Sequence, residues 1–117
     1  MRDLSPGDFL VFQLEAGFGL LRLLAVDEVN GEFVWHLAAY SDLFPSVEAA
    51  ETATETSSLH KSIEHVALTN RAFESTQVSA IGSLAITAEE IAALDGWRST
   101  PEQPISDRSI RLILGYR

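Results

Sequence analysis

Three histidines and the carboxylates near them are the side chains best suited to chemistry. His60, Glu64 and His65 lie close together in the chain. A metalloprotease-type site wants His-x-x-Glu-His or His-Glu-x-x-His on a helix, so that two imidazoles meet one ion. Here the spacing is His-x-x-x-Glu-His, one residue too long. On a strand, His60 and Glu64 share a face and His65 points away. The segment reads as a solvated polar strand edge, with no metal and no cofactor expected. His36 stands beside Trp35, with Tyr40 four residues on and Asp27 across a predicted hairpin. A histidine, a phenol and a carboxylate, joined by His60 or His65, can do acid–base work, as in a small hydrolase or ligand-binding domain. The plainer alternative is one histidine on a half-buried sheet, satisfied by a carbonyl or by water.

Other chemistries lack their residues. The chain has no cysteine, so thiolate nucleophiles, disulfides and Cys-ligated metals are excluded. No Gly-x-Ser-x-Gly elbow occurs. Gly17-Phe18-Gly19 is followed by leucines, not by the glycine and helix of a phosphate loop. The carboxylates are dispersed, and no pair demands general acid and base roles.

The elements that must carry these residues are mostly strands at the front. Asp8–Leu14 is rich in branched and aromatic residues between turn signals. Two further runs, from Phe18 to Val29 and from Glu32 to Tyr40, flank Asn30-Gly31. That dipeptide suits a two-residue hairpin turn, whose two positions both need positive φ. Such a turn sets Val29 against Glu32. It then predicts one face with Val26 opposite Trp35 and Leu24 opposite Leu37. The other face carries Asp27 opposite Val34, Ala25 opposite His36, Leu23 opposite Ala38 and Leu21 opposite Tyr40. Ser46 can cap a short helix through Glu48–Glu51. Residues 52–58 are small and polar, open to helix or mobile loop. Strands are expected at Ser62–Thr69 and Gln77–Ile86, the latter with a bulge or a close approach at Gly82, and a helical turn at Arg71–Ser75. Thr87-Ala88-Glu89-Glu90 is a capping box that opens a helix, which Gly96 weakens or ends. Alternation from Ile110 to Tyr116 predicts a last strand. The sum is a single α+β domain over 1–117, a strongly bent antiparallel sheet or small β-barrel with two or three short helices.

Charge says more about partners than the motifs do. The 117 residues carry a net charge of −9, with 46% hydrophobic residues. That apolar share suits a folded domain, and the acidity argues against binding nucleic-acid phosphates. Residues 1–60 hold ten acids and two arginines, a balance of −8; residues 61–117 hold seven acids and six bases, a balance of −1. No Lys or Arg falls between Arg22 and Lys61. An acidic surface steers a basic protein toward it. The expected contacts are Asp27, Glu28, Glu32, His36, Tyr40, Asp42, Glu48, Glu51 and Glu55, on an acidic sheet face and the 41–58 loop. A homodimer burying Leu21, Leu23 and Val34 between copies is a further option. The N-terminus lacks a signal-peptide pattern, and no apolar run approaches the ~20 residues that span a bilayer. Cytoplasm and no membrane contact are the expectations.

Gly7-Asp8-Phe9-Leu10-Val11-Phe12-Gln13-Leu14, then Gly17-Phe18-Gly19-Leu20-Leu21-Arg22-Leu23-Leu24, resembles the opening of the immunity protein 26 family. The shared pattern is Gly-Asp, a hydrophobic strand, a Gly-aromatic-Gly turn, and an Arg inside a second apolar strand. The resemblance implies a bacterial antidote that binds and neutralises a toxin. The acidic front half would suit a basic toxin domain. Some relatives carry a phosphotriesterase-like label, for which three wrongly spaced histidines offer no two-metal site.

Overall fold

Asn30 (φ 54°) and Gly31 (φ 83°) both adopt left-handed backbone, and the chain reverses there as the dipeptide demands. The computed structural model describes residues 4–56, 59–74 and 76–113. Strand β1 (Asp8–Leu14) is followed by β2 (Gly17–Val29) and β3 (Glu32–Tyr40). Helix α1 (Val47–Thr56), β4 (Lys61–Leu68), a 3-10 turn (Asn70–Phe73) and β5 (Val78–Ser83) come next. Helices α2 (Ala88–Arg98) and α3 (Ile110–Ile113) complete the described chain. The five strands form one antiparallel sheet in the order β4-β3-β2-β1-β5. It is bent but open, so of the two expected forms the sheet is found and the closed barrel is not. The bend has a local cause: the register slips between β1 and β5, β2 and β3, and β3 and β4. Each extra residue kinks its strand and increases the twist.

The slip in β2 decides which side chains share a face. Val29↔Glu32, Val26↔Trp35 and Ala25↔His36 pair as the turn dictates. Beyond them Leu24 is extra, and Leu23 meets Leu37, Arg22 meets Ala38 and Leu21 meets Ala39. The expected pairs Leu24–Leu37, Leu23–Ala38 and Leu21–Tyr40 are therefore wrong. A one-residue shift exchanges faces. Leu21 and Leu23 join the main core with Leu10, Phe12, Trp35 and Leu37. Arg22 turns instead to the face of His36. Residues of the 3-10 turn and Ile110 of α3 close the main core. Helices α1 and α2 cover the opposite face, α1 against β5, β1 and β2, and α2 against β4 and β2.

The helices resolve one open reading and depart from expectation in two places. Ser46 Oγ accepts the Ala49 amide at 3.1 Å and α1 runs on to Thr56, which resolves the open reading of 52–56; 57 and 58 lie outside the described residues. Helix α2 continues through Gly96 to Arg98, so glycine does not end it. Ile110–Ile113 is helical, not a strand. The Ser109 carbonyl accepts the Leu112 and Ile113 amides, and Ile110 and Ile113 both meet the main core while Leu112 is exposed. A short apolar run satisfies either period, and the positions three apart prevail. The rest of that expected strand, 114–116, lies outside the described residues.

In the β1–β2 hairpin Gly19 packs against the Phe12 ring, where a side chain does not fit without a shift. A Cβ at Gly19 would stand 2.5 Å from Cζ of the buried Phe12. Gly19→Ala is expected to cost about 1–3 kcal/mol through overpacking. Urea midpoints check this: Phe12→Leu should recover part of the loss, and an undiminished midpoint in Gly19→Ala alone would refute the close approach.

Candidate functional site

The slip at Leu24 and the hairpin register place two polar networks beneath α2. The first is a chain of three side chains. His36 is fully buried; its Nε2 lies 2.9 Å from Asp27 Oδ2 and its Nδ1 2.9 Å from His65 Nε2. A carboxylate only accepts, so His36 donates from Nε2 and receives the His65 Nε2–H at Nδ1. His65 Nδ1 is then left as the acceptor. The His36 and His65 rings stack at 5.2 Å, and the Trp97 ring meets His36 edge-on at 4.7 Å. Arg98 caps the far end, donating to Asp27 Oδ1 at 2.8 Å. Burial lowers the His36 pKa, and the Asp27 hydrogen bond offsets this only in part. Burial, then His36 and Arg98, push His65 down to about 4. Both rings are neutral at pH 7.

The second network is centred on Arg22. Its Nε and Nη2 each reach a Glu90 oxygen at 3.1 Å, Nη1 donates to the Gly7 carbonyl and Nη2 to the Ala85 carbonyl. The guanidinium also lies 4.6 Å from the Phe9 ring centroid. Lys61 Nζ adds a bond to Glu90 Oε2 at 3.0 Å. The same Glu90 completes the capping box, accepting the Thr87 amide while Thr87 Oγ1 accepts its own. Burial alone would raise the Glu90 pKa, but the hydrogen bonds from Arg22, the Thr87 amide and Lys61 hold it at about 2. Tyr40 sits here, against Phe9, and burial pushes its hydroxyl up to about 12.

Several expected site residues are thus placed elsewhere. Asp27 and His36 do meet, but Tyr40 belongs to the Arg22 side of the face and does not join them. His36 and Tyr40 are buried, so neither offers surface to a partner. Of the two histidines in the 60–65 segment, His65 joins His36 across the β3–β4 pairing and His60 does not. His60 is exposed and bonds Asp42 instead, through its amide at 2.7 Å and Nδ1 at 3.1 Å. Among the described residues no group of three or more His, Asp or Glu side chains is placed to hold a metal. Leu21, Leu23 and Val34 are buried within the single chain, so they cannot form the expected dimer interface.

The acids do not form one face either, because α1 and α2 cover the sheet face proposed to carry them. Glu28 and Glu32 sit exposed at the hairpin tip. Glu48, Glu51 and Glu55 lie exposed on α1, beyond the other end of β3. The two groups therefore belong to separate elements, the hairpin tip and α1. On α1 the three glutamates recur at helical spacing opposite buried Ala50 and Ala53, and none makes an ion pair among the described residues. Beside them a groove of about 430 Å³ runs between α1 and β5, lined by Glu51 and Glu55 and by apolar Phe9, Ile81 and Leu84.

No protein-family model matches the chain, and searches of curated proteins and of solved structures found no match. Among the described residues no helix is long and apolar enough to cross a membrane.

Proposed function

We propose that the chain is a non-enzymatic binding module that grips a basic protein segment along α1, in the manner of an immunity protein neutralising a basic toxin. The observation that carries this reading is the uncompensated Glu48/Glu51/Glu55 stripe beside an apolar groove. Like charges three and four apart cost a helix a few tenths of a kcal/mol each, and a cationic partner relieves that cost. The groove gives the aliphatic stems of Lys or Arg an apolar surface to cover. The β1–β2 resemblance to the immunity protein 26 family supports the same reading. The hydrolase alternative loses its geometry, since His36 is enclosed and Tyr40 lies apart from it. Neither the α1–β5 groove nor the cavity at the end of β1 is lined by His36, His65 or Tyr40.

The test uses the immobilised chain and its triple variant Glu48→Gln/Glu51→Gln/Glu55→Gln. The wild type should retain a basic protein that arrests growth when expressed alone, and co-expression of the chain should restore growth. The triple variant should bind that protein at least about tenfold more weakly, as expected for several lost charge pairs. Equal retention by the folded variant would place the contact elsewhere.

A further inference from the structure

Strand β5 is an unguarded edge of the sheet. It pairs with β1 alone, and no described strand lies on its other side. Its sequence, Val-Ser-Ala-Ile-Gly-Ser, holds neither charge nor proline, and Ser79, Ala80, Gly82 and Ser83 are exposed. An edge strand presents a row of amides and carbonyls that another chain can pair with, and charged residues or proline ordinarily blunt it. The opposite edge is blunted in that way: β4 carries Lys61 and Glu64, and Ser106 bridges its end at Leu68. A bulge at Ile81 is the one such feature of β5, and it leaves 78–80 in regular register. Helix α1 lies along the same strand. Val47 shares a cavity with Ser79 and Ile81 at one end, and Glu51 and Glu55 line the groove with Gly82, Ser83 and Leu84 at the other.

We propose that the basic partner segment docks as an extra β-strand on β5, main chain to main chain, with lysine or arginine at alternate positions reaching Glu51 and Glu55. The inference rests on the α1 reading and adds the conformation and the side-chain spacing of the partner. Glu51 and Glu55 stand four residues apart, roughly 6 Å along the helix axis. Alternate residues of a strand share a face and are roughly 6.6 Å apart, so two cations on that face match the two carboxylates. The strand's own amides and carbonyls meanwhile take up the free side of β5. A second copy of this chain is the poorer occupant. Two β5 edges joined antiparallel would set both α1 helices on one side of the joined sheet. The same glutamates would then face each other across the seam, between chains that each carry −9.

The probe is an acetylated and amidated peptide, Thr-Lys-Thr-Lys-Thr-Lys-Thr, titrated into the isotope-labelled full chain. Saturable NMR shifts are expected at both β5 and α1, with Kd about 1 mM or tighter. At saturation the outward amides of 78–80 should exchange with solvent about tenfold more slowly. Two N-methylated peptides, modified at every lysine or at every threonine, separate main-chain docking from charge. Successive amides of a strand point to opposite sides, so one form should bind at least about tenfold more weakly and the other should keep most of its affinity. Glu48→Gln/Glu51→Gln/Glu55→Gln should weaken the unmodified peptide about tenfold. Shifts confined to α1, or both methylated forms binding as tightly as the parent, would overturn strand addition and leave the α1 reading standing. Shifts at β5 with affinity unchanged in the triple variant would overturn the pairing of cations with Glu51 and Glu55. No saturable shift at ~5 mM peptide would overturn the proposal, while retention of the basic protein tests the α1 reading separately. Exchange protection of β5 that rises with protein concentration and needs no peptide would make a second copy the occupant and overturn the choice of partner.

Discussion

Replacing Glu90 by alanine should destabilise the fold by about 3–5 kcal/mol, the range for stripping the partner from a buried charge. Arg22 is 2% exposed and would keep only carbonyl partners. The loss should be read as a fall in urea midpoint at constant slope. Replacing both members, Arg22→Met with Glu90→Leu, should cost less than Glu90→Ala alone, because no charge is then stranded. If the double variant is no better than the single one, the pair is not what holds α2 to the sheet. Acid titration provides a second readout. Glu90 falls from the ordinary 4.5 to about 2, because burial, which alone would raise it, is outweighed by the bonds from Arg22, Thr87 and Lys61. A depressed carboxyl gives stability that is fully present above pH 4.5 and lost as pH falls through about 2. Glu90→Gln should flatten that limb.

His36→Leu should cost about 2–4 kcal/mol, since it leaves Asp27 Oδ2 and the His65 Nε2–H without their partner at a fully buried position. His36→Gln can donate at one end and accept at the other, so it should recover part of the loss. Equal midpoints for the two variants would mean that packing under Trp97, not hydrogen bonding, is what the imidazole supplies. The pH dependence runs in a different window from that of Glu90. Burial holds both histidines below 6.5, and His65 sits at about 4. At His65 the unfolded chain therefore takes up a proton from pH 6.5 downward while the folded chain resists until about 4. Stability is full above pH 6.5 and is lost as pH falls toward 4. His65→Gln should remove most of this upper limb and leave the Glu90 limb in place.

Much of the scaffold was legible because its signals are local. Asn30-Gly31 fixed a turn and the first five cross-strand pairs through backbone φ alone. Thr87 and Glu90 announced a helix start through hydrogen bonds that span three residues. The losses came where distance in the chain entered. Leu24 is an ordinary strand residue, and nothing local marks it as the extra one; yet that slip puts Arg22, rather than Leu21 and Leu23, on the face of His36. Glu90 was visible as a cap but not as the counterion of a residue in β2. The meeting of His65 with His36 depends on the β3–β4 register, which is itself irregular. Ile110 and Ile113 show the limit of periodicity in a four-residue run. Of the acids expected on one sheet face and the 41–58 loop, Glu28 and Glu32 stand at the hairpin tip and Glu48, Glu51 and Glu55 on α1, while Asp27 is held by His36 and Arg98.

The most direct measurement on the binding proposal is the rate at which the retained basic protein associates with the chain, followed from low to physiological salt. The account predicts a rate that falls steeply with ionic strength for the wild type and only weakly for the triple α1 variant. A rate that ignores salt, or a triple variant with the same slope as the wild type, would contradict it.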